Sequence, residues 1–236
     1  QGISANKESS VIVNGCTIDK TVQGGVYAED ASLSLKNATI TGAGTYGVAA
    51  KNSGKTLLDN VEVNKSGEHG IGSLNGYIVA TNVKVNEPKR SGVYSEGEEA
   101  VINMNQVEVY NTGSCGFGFK GAKEITARNV IIENPTNEGI YAFNGANVKQ
   151  LDNITIKNPG SHGISVEGKA IVNVTVDTNF NPDNKKDNGV TILNPGKVGI
   201  RCSNGTVTAK GVTIENAGTQ GISANKESSV IVNGCT

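Results

Sequence analysis

Residues 25–46 read GVYAEDASLSLKNATITGAGTY, and this stretch contains three short runs in which apolar and polar residues alternate. The runs are Val26-x-Ala28, Leu33-x-Leu35 and Ala38-x-Ile40. Alternation at period two predicts strands with one buried face, and the Gly, Asn and Ser residues around the runs are typical of turns. The stretch therefore predicts three short strands joined by turns.

The same pattern recurs along the whole chain. A glycine followed by an apolar residue marks each recurrence, and these repeat glycines are Gly2, Gly25, Gly47, Gly70, Gly92, Gly116, Gly139, Gly163, Gly199 and Gly221. The steps between them are 22 to 24 residues, apart from one step of 36. A repeat of this length without helical periodicity predicts a stack of about ten similar coils.

A column of side-chain amides accompanies the repeat. In almost every coil the last apolar residue of the third run lies seven residues before the next repeat glycine, as Ile40 does before Gly47. Three residues before that apolar position stand Asn37, Asn60, Asn82, Gln106, Asn129, Asn153 and Asn173. Asn tolerates the left-handed conformation of a bend, and stacked amides can hydrogen-bond to one another. The spacing predicts an all-β parallel β-helix, or β-solenoid, with an asparagine ladder.

Three-stranded coils of about 23 residues with stacked asparagines resemble the right-handed parallel β-helix of the pectin-lyase-like superfamily, over the whole chain. The right-handed coil is an expectation from this resemblance. The resemblance also implies that a polysaccharide site would lie on the outer face of the first strand of each coil and on the turns beside it.

The first 17 residues, QGISANKESSVIVNGCT, return unchanged as residues 220–236. The identity defines a repeat of 219 residues, residues 1–219, followed by the start of a second copy. We expect residues 1–236 to form a single continuous solenoid that is part of a longer tandem array. Nine coils at a strand spacing of about 4.8 Å give a rod of roughly 43 Å per copy.

The composition argues against several kinds of partner. The formal charge is −1 and the Lys and Arg residues are scattered, so we expect no nucleic-acid partner. No apolar run is long enough to predict a transmembrane segment. Among the four cysteines, Cys16 and Cys202 fall at inward positions. Cys115 falls in a turn, where it is either an idle residue or a reactive, cross-linking thiol.

The outward positions of the first strand do not supply a catalytic pair. Carboxylates appear there as Glu29, Glu96 and Glu167, three coils or roughly 14 Å apart. Glycoside hydrolysis needs two carboxyl groups about 5 to 9.5 Å apart. His69 and His162 precede repeat glycines without an orienting acid, so we expect them to be solvated turn residues. The sequence predicts no catalytic residue.

Four residues of the same outward face are candidate glycan contacts: Tyr27, Tyr94, Tyr141 and Arg201. Tyrosine rings can stack on sugars, although exposed tyrosines are also common on β-sheet surfaces. Both interpretations stay open at this point.

One coil carries an insertion, which the spacing places in the turn before Gly199, at residues 177–198. Within it, Asp177, Asn179, Asn181 and Asp183 have the spacing of a calcium loop. The loop lacks the glycine and the bidentate glutamate of the EF-hand type. An ordinary polar surface loop and a calcium site are therefore both retained, and we expect no other cofactor.

These observations predict a non-catalytic, structural section of a long extracellular tandem-repeat β-solenoid: a stalk, an adhesin shaft or a filament of the cell surface. Its partners would be further copies of itself end to end, identical rods side by side, and polysaccharide. The alternative is a polysaccharide lyase or hydrolase, or a glycan-binding module, with its site at the 177–198 loop. In that case the acids would be Asp177, Asp183 and Asp187, and the cations Lys185, Lys186 or Arg201.

Overall fold

The computed structural model describes residues 1–174 and 189–236, and all regular structure in these residues is β-strand. The strands are β1 (Ile3–Asn6), β2 (Ser10–Asp19), β3 (Val26–Glu29), β4 (Ser32–Thr41), β5 (Val48–Lys51), β6 (Lys55–Asn64), β7 (Ile71–Leu74), β8 (Tyr77–Asn86), β9 (Val93–Glu96), β10 (Val101–Tyr110), β11 (Phe117–Lys120), β12 (Glu124–Glu133), β13 (Ile140–Phe143), β14 (Asn147–Lys157), β15 (Ile164–Glu167), β16 (Ile171–Val174), β17 (Val190–Leu193), β18 (Val198–Ser203), β19 (Thr206–Lys210), β20 (Val212–Glu215), β21 (Gln220–Asn225) and β22 (Ser229–Asn233). Within these two ranges no helix is long and apolar enough to cross a membrane. The predicted all-β fold is confirmed.

Sheet A consists of ten short parallel strands in the order β1-β3-β5-β7-β9-β11-β13-β15-β18-β21. Each strand pairs with the equivalent strand one coil later, as Val26 does with Ile3 on one side and Val48 on the other. Sheet A therefore runs along the axis of a solenoid. The predicted parallel β-helix is confirmed.

Sheet B consists of the long strands from β2 to β14, which bend in their middle, and of the short strands β16, β17, β19, β20 and β22. All of them pair in parallel from coil to coil. In β4, Leu33 and Leu35 point inward before the bend and Ala38 and Ile40 point inward after it, while residues 36–37 are exposed. We call the part before the bend the first limb, the part after it the second limb, and the corner between them the ladder bend. Sheet A and the two limbs form the three sides of each coil.

The core is built from small aliphatic side chains of all three sides. Val26, Leu35 and Ile40 are fully buried in it, and residues of all coils contribute to one continuous cluster. Phe117 and Phe119 are the largest fully buried side chains, and their ring centroids are 5.7 Å apart. Most coils thus fill their interior with Val, Ile, Leu and Ala, in keeping with the few aromatic residues of the chain.

Close approach between neighbouring coils explains the repeat glycines. A Cβ atom added to Gly116 would lie 2.7 Å from the carbonyl oxygen of Gly139, and one added to Gly70 would lie 2.6 Å from that of Gly92. Real Cβ atoms do not approach backbone oxygens so closely, so only glycine fits. We call this corner, between the second limb and sheet A, the glycine turn.

The predicted position of the insertion is wrong. β16 ends at Val174, and β17 begins at Val190 and pairs with β14 and β20. Ile192 therefore lies seven residues before Gly199, and this coil keeps the regular glycine turn. The first limb of this coil ends at Val174 and its second limb begins at Val190, so the extra residues fall between the limbs in the sequence, and residues 190–198 belong to the coil. The sequence misled because residues 172–176, VNVTV, alternate as a third run would.

Candidate functional site

Three aromatic rings form a stack on the outside of sheet A. Tyr46 and His69 precede successive repeat glycines, and Tyr94 lies on β9 in the following coil. The ring centroids of Tyr46 and His69 are 5.3 Å apart. Those of His69 and Tyr94 are 4.3 Å apart, with nearly parallel planes. The stack therefore follows the solenoid axis over three coils.

His69 is buried inside this stack. Its Nδ1 accepts a hydrogen bond of 3.2 Å from the backbone N–H of Ser91. Burial, with the positive charge of Arg90, lowers the pKa of His69 to about 4. The expectation of a solvated His69 is wrong, because the two tyrosine rings cover it. His162 is half-buried, and its Nδ1 accepts a hydrogen bond of 3.3 Å from the backbone N–H of Val198.

Glu96 sits beside the stack and is already paired. The hydroxyl of Tyr94 donates to its carboxylate at 2.8 Å, and the ammonium of Lys120 donates at 2.7 Å. The hydrogen bonds from Lys120 and Tyr94 hold the pKa of Glu96 below its usual range. Burial, followed by the hydrogen bond to Glu96, raises the pKa of Tyr94. Glu96 is thus an ionised structural partner in this arrangement.

A second cluster lies farther along sheet A. The rings of Tyr141 and Phe143 stack with centroids 4.5 Å apart, and the Tyr141 hydroxyl donates to Glu167 at 2.9 Å. The guanidinium of Arg201 also donates to Glu167, and it donates to the hydroxyl of Ser165 at 3.3 Å. Burial raises the pKa of Glu167, but the hydrogen bonds from Arg201 and Tyr141 outweigh it and keep that pKa below its usual range.

The four candidate glycan contacts therefore lie on one face but are engaged with protein groups. Tyr27 is buried, and the ammonium of Lys51 lies 4.9 Å from its ring centroid. Tyr94 stacks on His69, Tyr141 stacks on Phe143, and Arg201 is paired with Glu167. One face of each tyrosine ring is covered in this way. Glycan contact by these residues stays a prediction.

The four cysteines are free thiols. Cys202 is fully buried, and Cys16 is half-buried against the core. Cys115 is buried in the glycine turn, and its thiol donates to the carboxylate of Glu138 at 3.2 Å. Burial and the negative charge of Glu138 raise the pKa of Cys115 to about 12. Because the thiolate is the reactive form, this environment favours the idle residue over the reactive thiol.

The predicted calcium ligands, Asp177, Asn179, Asn181 and Asp183, lie outside the described residues. The same holds for Lys185, Lys186 and Asp187. In residues 1–174 and 189–236, no three His, Cys, Asp or Glu side chains form a group that would hold a metal ion. Calcium binding therefore stays a prediction.

The predicted amide ladder lies at the ladder bend. The predicted residues between Asn37 and Asn153 all have the left-handed backbone, with φ between 51° and 56°. Amide hydrogen bonds join Asn60 to Asn37 at 2.7 Å and Asn153 to Asn129 at 2.7 Å. The column is exposed rather than internal. These bonds run from one coil to the next and hold the corners that they join in register.

Two neighbouring asparagines extend the ladder where the bend residue is not Asn. Gly15 has no side chain, and Asn37 donates instead to Asn14 at 2.8 Å. Gln106 occupies another bend, and Asn129 donates instead to Asn105 at 2.8 Å. In both places the residue just before the bend supplies the carbonyl oxygen. An Asn preceding a Gly or Gln at the ladder position was the available sequence signal.

The assignment of Asn173 to the ladder is wrong. Asn173 lies in the first limb, where it pairs with Thr208. The next residue, Val174, pairs with Ala209 in the same limb. The bend of this coil comes later in the sequence, because the insertion separates its two limbs. Gly189 occupies the equivalent position, directly before Val190, and its carbonyl accepts a hydrogen bond of 3.1 Å from the backbone N–H of Ile154.

A second amide ladder lies at the start of the glycine turn and was missed by the sequence reasoning. Its side-chain hydrogen bonds, 2.9 to 3.1 Å long, join Asn111, Asn134, Asn158, Asn194 and Asn216. All five have φ between 51° and 55°. The bond from Asn194 to Asn158 spans the insertion, so the coils remain in register across it. In the sequence, the signal for this second ladder was an Asn two residues after the last apolar residue of the third run.

A family model described as the right-handed β-helix region matches residues 24–181, which is more than half of the chain. The chain belongs to this right-handed β-helix family. The expected handedness and the expected resemblance are therefore confirmed. No curated protein sequence matches the chain.

Solved structures support the same fold at low sequence identity. The catalytic domain of Agl-KA is 14% identical with a TM-score of 0.66, and the match covers 94% of this β-helix chain and 46% of that one. The receptor-binding tailspike of bacteriophage Det7 is 14% identical with a TM-score of 0.51, covering 89% and 44%. The chain thus spans less than half the length of either protein. At this identity the likeness shows the fold alone.

Proposed function

We propose that this chain is a section of a long tandem-repeat β-solenoid with a structural role, as a stalk, adhesin shaft or filament of the cell surface. The observation that carries the proposal is the position of the duplicated sequence. Residues 1–17 and 220–236 are identical, yet their strands pair with coils on opposite sides.

The two sets of pairs are complementary. β1 and β2 pair with the following coil, for example Val11 with Leu33. β21 and β22 pair with the preceding coil, for example Val230 with Val207. If the coil of residues 220–236 is superposed on the identical coil of residues 1–17, the combined coil is paired with one neighbour on each side. A solenoid that continues from copy to copy therefore needs only contacts that this chain already makes.

Side-chain contacts between coils support a rod. Among the described residues, eight of nine ion pairs join neighbouring coils, including Lys123 with Glu99 and Lys149 with Glu124, both at 2.5 Å. The two amide ladders run in the same direction. Each added coil extends these networks along with both sheets, so the structure can grow without intermediate caps.

The proposed partners follow from this growth. Further copies would join end to end, either within one chain or as separate chains that meet at their open edges. An extracellular or cell-surface location is supported by the likeness to a phage tailspike, which is a receptor-binding protein. The rod would then hold another part of the protein away from the surface.

Electron microscopy of a chain of three consecutive copies tests the proposal. We expect uniform rods that lengthen by roughly 43 Å per copy and are unbroken at the joints. Beads separated by flexible gaps would mean that each copy is a separate capped domain, and would overturn it. The single-copy chain is the control for the length increment.

A second candidate is a polysaccharide lyase or hydrolase, or a glycan-binding module, with its site either at the inserted residues 175–188 or on the outer face of sheet A. The cluster of Tyr141, Glu167 and Arg201 favours this candidate, because the cluster lies on the face where the resemblance implies polysaccharide binding. The similar structure that is a catalytic domain adds support. The ladder bend, however, is the one corner of the coil that does not adjoin sheet A.

A panel of acidic and neutral polysaccharides, with and without calcium, tests this candidate. Cleavage that requires calcium and is lost in Asp183→Ala would place the site at the loop. Cleavage or binding that survives Asp183→Ala but is lost in Glu167→Gln would place it on sheet A. No cleavage and no binding would leave the structural function alone.

A further inference from the structure

The outer face of the first limb differs from the other surfaces of the solenoid. The two outward columns farther from the ladder bend, which we call the first-limb face, are Ser10, Ile12, Ser32, Ser34, Lys55, Leu57, Tyr77, Val79, Val101, Asn103, Glu124, Thr126, Asn147, Gln150, Ile171, Asn173, Thr206, Thr208, Ser229 and Ile231. Lys55 and Glu124 are the only charged residues of these two columns. A third outward column, beside the ladder bend, carries charged residues that pair with each other, Lys36 with Asp59 and Arg128 with Asp152. A bulge in β14 adds Lys149, which is paired with Glu124.

Exposed hydrophobic side chains are concentrated on this face. Leu57 is 49% exposed and Ile171 is 42% exposed, although both lie in coils that are covered on both sides. Ile12 and Ile231, which are equivalent positions of the two copies, also project from it. Among the described residues, four of the six exposed large hydrophobic side chains therefore share one face. Around Leu57 the apolar surface is contiguous, because Leu57 pairs with Val79 and the partly exposed Tyr77 and Val101 lie beside them. Contiguous exposed apolar surface marks interaction sites.

The other two sides of the coil do not share this character. The outer face of sheet A has charged groups that pair with each other, such as Glu96 with Lys120. The second limb presents Glu62, Lys84 and Glu108 at its outward positions. Interface cores are depleted in charged residues, so the first-limb face is the side suited to a protein contact.

We propose that the first-limb face binds the same face of a second copy of this chain, so that two rods associate side by side. The size of the face indicates the occupant and the number of copies required. This part of the argument rests on the proposed tandem array. Between the bulge of one copy and the bulge of the next, the face comprises eight strands of sheet B. They are β16, β19, the strand of the duplicated coil, β4, β6, β8, β10 and β12.

Eight strands at about 4.8 Å, with four residues at about 3.3 Å each, give a flat area on the order of 500 Å² per copy. A stable interface buries about 800 Å² per partner. One copy falls short of this area, whereas two or three consecutive copies exceed it. A long rod of the same sequence offers this repeated area, and the contacts of its copies add up as in multivalent binding.

The two charges indicate the orientation. Lys55 and Glu124 lie three coils apart in the same outward column, with Tyr77 and Val101 in the two coils between them. A twofold axis along the strand direction, between β8 and β10, brings Lys55 of each rod opposite Glu124 of the other. The same axis brings Tyr77 opposite Val101. The face is therefore complementary to itself in an antiparallel pair.

Analytical ultracentrifugation of the three-copy chain tests the inference. We expect dimers at micromolar concentration, while the single-copy chain stays monomeric at the same concentration. Leu57→Lys in every copy should raise the dissociation constant at least 100-fold. Ile131→Lys is the matched control, because Ile131 also points outward but lies on the second limb. Circular dichroism should show both variants folded, since neither position is in the core.

Charge exchange tests the orientation. Lys55→Glu should weaken the dimer, and the added change Glu124→Lys should restore it. Monomeric rods at 100 µM, or equal effects of Leu57→Lys and Ile131→Lys, would overturn the side-by-side contact. Dimers without restoration would overturn the antiparallel arrangement. Long single rods in electron microscopy would overturn this inference while the proposed rod function stands, whereas beads would overturn that function.

Discussion

The glycine turn and the ladder bend are both corners that every coil must make, yet they are built on different constraints. At the glycine turn, neighbouring backbones approach so closely that a Cβ atom has no room. At the ladder bend, the backbone is left-handed, with φ near 53° at Asn129, and amide bonds hold neighbouring corners together. The first constraint is steric, and the second is conformational.

The difference explains how variable each corner is. The glycine turn has Gly116 and its equivalents in all ten coils. The ladder bend accepts Asn, Gln106, Gly15 and Gly211, because each of these adopts a positive φ at moderate cost. It also accepts the insertion. A steric constraint thus admits one residue, whereas a conformational one admits several.

The largest effect is expected at the glycine turn. Gly116→Ala should lower the free energy of unfolding by about 3 kcal/mol or more, because the new methyl group meets a backbone carbonyl that cannot move alone. Urea denaturation measures the change. Gly221→Ala is the matched control, since no atom lies within 4 Å of its added Cβ in this chain. Equal losses in both variants would show that close approach is not the cause.

An acid-induced loss of stability is expected from His69, which lies in the glycine turn. Its pKa of about 4 in the folded protein is below the unfolded value of about 6.5. The unfolded chain therefore binds the proton more tightly than the folded protein does. The stability that neutral His69 provides is fully present above pH 6.5, and the free energy of unfolding falls as the pH drops toward 4. The loss should be about 2 to 3 kcal/mol. In His69→Phe the stability between pH 7 and 4 should vary less; an unchanged profile would contradict the assignment.

A moderate effect is expected at the ladder bend. Asn129→Ala removes two amide hydrogen bonds and disfavours the positive φ, for a loss of about 2 kcal/mol. Asn129→Gly removes the same bonds but keeps the backbone conformation, so its loss should be about 1 kcal/mol. Urea denaturation compares the two. A glycine variant less stable than the alanine variant would refute the conformational explanation.

The smallest effect is expected from the ion pairs on the outer face of sheet A. Lys120→Ala breaks the contact with Glu96, and both side chains are more than a third exposed. The loss should be about 0.5 kcal/mol at low salt and should vanish near 1 M salt, because solvent and ions screen exposed pairs. Thermal melting at two salt concentrations measures it. A salt-independent loss would mean that Lys120 contributes through packing instead.

Spacing alone was sufficient to predict the coil, the repeat glycines and the ladder from Asn37 to Asn153. These features recur at constant intervals because each has the same backbone role in every coil. The second ladder escaped notice because its position holds Lys20, Gly42, Lys65 and Glu87 in the earlier coils. A column is visible in a sequence only where its side chain repeats.

Side-chain direction was the part that the sequence could not supply. The spacing shows that Tyr46, His69 and Tyr94 belong to successive coils, but not that their rings turn toward one another. The burial of His69 depends on this orientation of the rings. The insertion was misplaced for a related reason, because residues 172–176 follow the alternation of a third run in the sequence, although Val172, Asn173 and Val174 belong to the first limb.

The ladder bend of the inserted coil has a consequence for the whole array. β14 pairs with both β16 and β17, and the second ladder is continuous from Asn158 to Asn194, so the coil closes although residues 175–189 separate its limbs in the sequence. In tandem copies this corner recurs at an axial interval of roughly 43 Å. The repeat would then work as a ruler, setting a fixed axial distance between successive insertions.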